Sequence, residues 1–323
     1  MSADAPARPL SPSRPRVLLV LVLAIALAEI VGHVVVRAGV PSADDWVRAA
    51  ARVREGFAEG DTVVAAPGWA DPLVRDVAGD LLPVADAGRS DLARYERVWE
   101  IAARGRRGFF TPAGEPAFEE RIGALRLRRW DLGPSPVLVD LVSELPEAEV
   151  RLGERSCRWR RQSSRGGGLG AGPLWPREAF FCGPSPWLFV GETVTEDLDL
   201  RPRRCVWQHP AGTEPVTTTY ADVPFGERVV VYAGLYYEHE RKKLGLPVDL
   251  EVRANGRMLG RLRHQDGDGW KRAELPMPEG LRGGRGRLEL AVTAPNPHLR
   301  TLCWAATVRG PQRAVESAPG DAP

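Results

Sequence analysis

The stretch PVDLEVRANGRMLGRLRH, residues 247–264, decides the fold. Val248, Leu250 and Val252 alternate with Asp249, Glu251 and Arg253, the two-residue period of a strand with one buried face. Asn255-Gly256 interrupts the run, and Asn-Gly between alternating segments signals a tight two-residue hairpin. Working outward, FVGETVTEDLDL, CVWQH, VTTTYADV, RVVVYAGLYY, WKRAELPM, GRLELAVTA and LCWAATVRG are short apolar segments parted by Gly, Pro or Asp. Leu288, Leu290 and Val292 repeat the alternation. About eight such strands over 187–310 predict an all-β sandwich of two sheets.

Upstream the texture differs. In DDWVRAAARVREGF, Trp46, Ala49, Ala50, Val53 and Phe57 fall at helical spacing behind Asp44 and Asp45 in the cap region. DTVVAAP reads as a short buried strand ended by Pro67-Gly68, ADPLVRDVAGDLL as a helix, RVWEIAA as a strand and PAFEERIGAL as a third helix. More strand is expected between Arg126 and Val142. Helices interleaved with apolar strands predict a small α/β domain over 43–149 with a partly parallel sheet. Residues 150–186, with Gly166 to Gly172 beside Arg155, Arg158, Arg160, Arg161 and Arg165, read as a Gly/Arg-rich linker. Gly166, Gly168 and Ala171 fit G-x-G-x-x-A, but no strand precedes them and Pro173 follows.

Residues 17–36, VLLVLVLAIALAEIVGHVVV, would span about 30 Å as a helix, the thickness of a bilayer core. Arg8, Arg14 and Arg16 precede the run and only Arg37 follows closely, so charge asymmetry puts residues 1–16 in the cytoplasm and the rest outside. The expected address is a bacterial inner membrane, single-pass, with the bulk of the chain periplasmic or extracytoplasmic. A cleaved signal peptide is the competing reading, with Ala26 and Ala28 in an A-x-A pattern. Glu29 and His33 share one helix face and mark either a contact with another membrane helix or a mutual hydrogen bond near the headgroups. Pro- and Ser-rich residues 1–16, and the tail 311–323, read as disordered ends.

The 323 residues hold room for an anchor and about two domains. A net charge of +2, with Arg spread along the chain, gives no electrostatic ground for a nucleic-acid partner. No G-x-S-x-G, P-loop or H-E-x-x-H occurs, so no catalytic residue, metal or cofactor is expected. Acidic residues such as Glu192, Glu196, Asp197 and Asp199 leave a carboxylate-dependent glycosidase as an alternative that only spatial separation can test.

Two resemblances add to this. DDWVRAAARV, EGDTVVAAPGWADPLV and RYERVWEIAARG are similar to the soluble extracytoplasmic portion of bacterial glycosyltransferases of the dolichyl-phosphate-mannose-protein mannosyltransferase-like family. That likeness implies a glycan-assembly neighbourhood and transfers no catalytic residue. DVPFGERVVVYAGL, PVDLEVRANGRMLG, the DGW turn into KRAELPM and the terminal LCWAATVRG resemble galactose-binding-like jelly-roll domains of carbohydrate-binding modules. The implied fold class is α+β overall: one transmembrane helix, a small α/β domain, then a jelly-roll sandwich.

Cys157, Cys182, Cys205 and Cys303 are even in number and lie in a chain read as exported, where thiols pair. In a jelly roll the first and last strands are neighbours, which implies Cys205 with Cys303 and leaves Cys157 with Cys182 to close the Gly-rich loop, out of three connectivities. Zinc at Cys205 and His209 lacks a second local ligand pair. The loops YYEHERKK (236–243) and HQDGDGW (264–270) carry the unusual chemistry. Aromatic faces stack on sugars and polar groups bond hydroxyls, so Tyr236, Tyr237, His264, Asp266 and Trp270 are the candidate glycan-binding residues, against a reading of the same residues as core and turn. The expected function is a membrane-anchored accessory protein of the envelope whose sandwich binds glycan or a partner protein. The alternatives are an enzyme on envelope polysaccharide and a structural subunit of a membrane complex.

Overall fold

The computed structural model describes residues 13–161 and 175–313. Of the ends expected to be disordered, 1–16 and 311–323, residues 1–12 and 314–323 lie outside the described residues, as does the Gly-rich stretch with its G-x-G-x-x-A match, whereas residues 13–16 are helical. Helix α1 (Ser13–Ala38) contains one segment, Val17–Arg37, long and apolar enough to cross a membrane, and none of it is buried in the protein.

Helix α2 (Ala43–Gly56) begins at a reciprocal cap in which Ser42 Oγ accepts the Asp45 amide at 3.1 Å and Asp45 Oδ2 accepts the Ser42 amide at 3.0 Å. It lays Trp46, Ala49, Ala50 and Val53 on a sheet built from β1 (Asp61–Ala66), β2 (Arg97–Ala103), β3 (Phe118–Ile122) and β4 (Leu125–Asp131). The order is β1-β2-β4-β3, with β1 and β2 parallel and the other pairs antiparallel. Helices α3 (Asp71–Ala78) and α4 (Val84–Ala87) lie in the connection from β1 to β2.

The third helix expected over PAFEERIGAL is instead the β3–β4 hairpin. Phe118, Ile122 and Leu125 are spaced four and three apart and so imitate a helical face. Gly123 overrides that pattern: at φ +59 it starts a two-residue turn pairing Ile122 with Leu125, and a Cβ there would fall 2.0 Å from Asp45 Oδ1. Cross-strand charge suits the hairpin, since Glu119 accepts from Arg126 at 2.6 Å and from Arg128 at 3.1 Å.

The remainder is a two-sheet sandwich, which makes the chain α+β. Its strands are β5 (Val137–Asp140), β6 (Glu149–Leu152), β7 (Arg155–Ser156), β8 (Arg158–Arg161), β9 (Glu178–Phe181), β10 (Phe189–Glu196) and β11 (Pro202–Gln208). They continue with β12 (Val216–Pro224), β13 (Arg228–Leu235), β14 (Val248–Ala254), β15 (Arg257–His264), β16 (Lys271–Pro276), β17 (Arg285–Thr293) and β18 (Leu302–Arg309), with one helical turn, α5 (Tyr237–Glu240). One sheet runs β16-β13-β18-β11-β10-β9-β8, with β5 also paired to β18; the other runs β15-β14-β17-β12-β6-β7. Thus the described part of 150–186, expected as a linker, supplies strands to both sheets. The Asn255-Gly256 hairpin forms as read, both residues at positive φ, and Val248, Leu250, Val252 and Ala254 all face the core.

Between the sheets, Gln208 on β11 gathers a satisfied polar node. Its Oε1 accepts from Trp304 Nε1 at 2.9 Å and Thr218 Oγ1 at 2.8 Å, and its Nε2 donates to the carbonyls of Val216 (2.7 Å) and Leu290 (3.2 Å). A buried amide so placed fixes the facing of the two sheets as well as adding energy. Both expected disulfides are present. Cys157 and Cys182 join at 2.00 Å beside β8 and β9, and Cys205 and Cys303 at 2.08 Å across β11 and β18.

Candidate functional site

The loops 236–243 and 264–270 do meet, and they meet by using each other's polar groups. Glu240, fully buried, accepts the amides of Gly267 at 3.1 Å and Gly269 at 2.8 Å and faces His264 Nε2 at 3.3 Å. Asp266 accepts the Gly245 amide at 3.0 Å and the Arg300 guanidinium at 2.7 Å. Tyr236 and His264 are buried, and the Trp270 indole donates to Ser90 Oγ at 3.2 Å. Tyr237, half-buried, bonds the adjacent Glu238. His239 is pushed down to about 4 by burial and by Lys242 nearby. Four of the five sequence candidates are therefore turned inward, into a knot that closes one end of the sandwich. Glu29 and His33 lie on the exposed face of α1 and make no side-chain hydrogen bond or ion pair among the described residues.

An open site lies elsewhere, between β1 with the turn that follows it and the β10–β11 turn. This cleft, of about 420 Å³, is floored by Val63, Val64 and Ala65 of β1. Trp69 lies on the rim, 58% exposed, two residues beyond the cis Ala66-Pro67 peptide. Phe109 and Phe110, half-buried, form part of the wall, and the sandwich contributes Glu196, Leu200, Arg201, Pro202 and Arg203.

The cleft is rich in guanidinium groups. Arg75 pairs with Asp71 at 2.8 Å, and the buried Arg203 with Asp197 at 2.7 Å. Arg201 lies 3.9 Å above the Phe109 ring. Arg89 is buried beneath the cleft between Tyr95 and Phe110, and desolvation pushes its pKa down against the pull of surrounding negative charge. Composition could not single these residues out. An exposed Trp and a core Trp look alike in sequence, and PGW marks only a turn after an apolar strand.

The two halves of the chain are bound together by contacts outside the cleft lining. Arg204 donates its amide to the Gly88 carbonyl at 2.6 Å, and Asp91 accepts from Tyr232 at 2.8 Å and from Arg309 at 2.5 Å. Burial pushes the Asp91 carboxyl up, but the adjacent Arg309 charge outweighs it and the net displacement is downward. Among the described residues no group of three or more His, Cys, Asp or Glu is placed to hold a metal ion.

No protein-family model and no curated protein matches the chain, so the mannosyltransferase-like resemblance of the first part gains no support. Solved structures similar to it include carbohydrate-binding modules. A CBM27-1 from Caldicellulosiruptor saccharolyticus in complex with mannohexaose is 17% identical, over 39% of this chain and 84% of that one, at TM-score 0.29. A CBM51 from Clostridium perfringens GH95 in complex with methyl-galactose is 10% identical, over 36% and 80%, at TM-score 0.28. The M60 catalytic domain with CBM51-1 and CBM51-2 domains from Clostridium perfringens ZmpB is 13% identical over 50% of this chain, at TM-score 0.29, and only 15% of its own length is covered. At such scores the likeness is one of outline, and no ligand follows from it.

Proposed function

We propose that the chain is a membrane-anchored glycan-binding protein of the bacterial envelope, its N-terminus cytoplasmic and its sandwich outside, with the saccharide held in the cleft beside Trp69. One observation carries this reading: a ligand-sized cleft whose rim presents a largely exposed indole above half-buried aromatic and hydrogen-bonding side chains. Such a surface stacks on the apolar face of a sugar ring and bonds its hydroxyls. Two disulfides and an apolar helix near the N-terminus support the extracytoplasmic address. Glu29 and His33 add a face of α1 for a second membrane segment, by which the protein would join a glycan-assembly complex.

The test is an oligosaccharide array probed with the full chain in detergent, in parallel with Trp69→Ala. Trp69 is exposed, so its loss should leave the thermal midpoint unchanged while weakening saccharide binding about tenfold or more. Equal binding by both proteins, or none by either, would sink the proposal.

A further inference from the structure

A guanidinium withdrawn from water is costly unless an anion offsets it. Arg89 is 7% exposed, and both of its terminal nitrogens donate to one neutral acceptor, the Val63 carbonyl, at 3.1 Å. Its Nε has no partner among the described residues. The carboxylates near it are engaged elsewhere: Asp86 accepts the Tyr95 hydroxyl at 2.7 Å, and Asp71 holds Arg75. Across the cleft, Arg201 is stacked on Phe109 and likewise makes no ion pair among the described residues. One cation from the α/β layer and one from the sandwich thus line the same cleft without a carboxylate of their own.

We infer that Arg89 and Arg201 receive the anionic group of an acidic saccharide, a uronate carboxylate or a sugar phosphate, whose ring stacks on Trp69. A planar guanidinium presents paired donors that match both oxyanions. Aromatic neighbours at 5.4 and 5.5 Å hold the Arg89 charge while the cleft is empty, and an entering anion completes its pairing. This rests on the cleft being a saccharide site.

Calorimetry on the full chain in detergent, titrated with trigalacturonate, with glucose 6-phosphate and with neutral galactotriose, tests it. The expected result is a preference for an acidic probe of about tenfold or more, falling as salt is raised. Arg201→Gln, at a half-exposed position, should abolish the preference without lowering the thermal midpoint. Arg89→Met should abolish it as well and leave stability equal or higher, since a buried unpaired charge is removed. Equal affinity for acidic and neutral probes, or a preference surviving both substitutions, overturns the inference and leaves the saccharide reading standing. Binding of none of the probes counts against both. Inorganic phosphate displacing the acidic probe at equal concentration would show an anion site without saccharide character and would also overturn it.

Discussion

The knot at 236–270 and the cleft at Trp69 are built from the same kinds of residue, aromatic rings among Arg, Asp and Glu, yet they are opposites. In the knot the carboxylates have internal partners, Glu240 with two amides and a histidine and Asp266 with Arg300 and an amide, although Glu240 Oε2 and His264 Nδ1 make no hydrogen bond among the described residues. In the cleft the indole faces solvent and two guanidinium groups lack carboxylates. Satisfaction of polar groups, more than their identity, separates a structural junction from a surface left open for a partner.

Three experiments would break or sharpen that contrast. The largest effect is expected from replacing Cys205 and Cys303 together by Ala. That bridge closes a separation of 98 residues and pins β11 and β18, which lead into the cleft wall on one side and the knot on the other. A loss of about 4 kcal/mol in chemical denaturation, with saccharide binding weakened as well, is expected; a change confined to one region would show that the two are supported separately. Next, Glu240→Ala strands the Gly267 and Gly269 amides and His264 in a buried setting. A loss of about 3 kcal/mol with cleft binding intact is expected, and the contrast fails if binding falls while stability holds.

The smallest effect is one of pH. The folded-state pKa of His239 is depressed from 6.5 to about 4, so its contribution to stability is full above pH 6.5 and declines as pH falls towards 4. After allowance for solvent screening the decline should be on the order of 1 kcal/mol, read as a falling thermal midpoint. His239→Gln should remove it, apart from the share due to His209, which burial also holds down. No histidine lines the cleft, so saccharide affinity should not follow the same curve.

The sandwich was legible wherever a strand was long enough to show its period, as in Val248, Leu250 and Val252, and wherever a turn residue had one reading, as in Asn255-Gly256. Four-residue strands such as β5 and β6 are too short to alternate visibly, and their pairing comes from distant β18 and β12. Over PAFEERIGAL the period itself misled, because the deciding residue was Gly123 against Asp45, a contact across 78 positions. The same limit hid the cleft. The composition of 236–243 and 264–270 announced unusual chemistry, but whether Glu240 or Arg89 finds an internal partner is set by tertiary placement. The Cys205–Cys303 pair was readable from the strand neighbours that the jelly-roll resemblance implies, and Cys157–Cys182 was the pair that remained.

The final strand, β18, lies in the interior of its sheet: β13 flanks one edge, while β11 and β5 divide the other. A chain made from its N-terminus therefore holds two incomplete half-sheets with raw edges until β18 emerges. Such late closure is slow and exposes strand edges to strangers. Premature termination before Leu302 would leave no smaller working version of the molecule, only two surfaces seeking a neighbour.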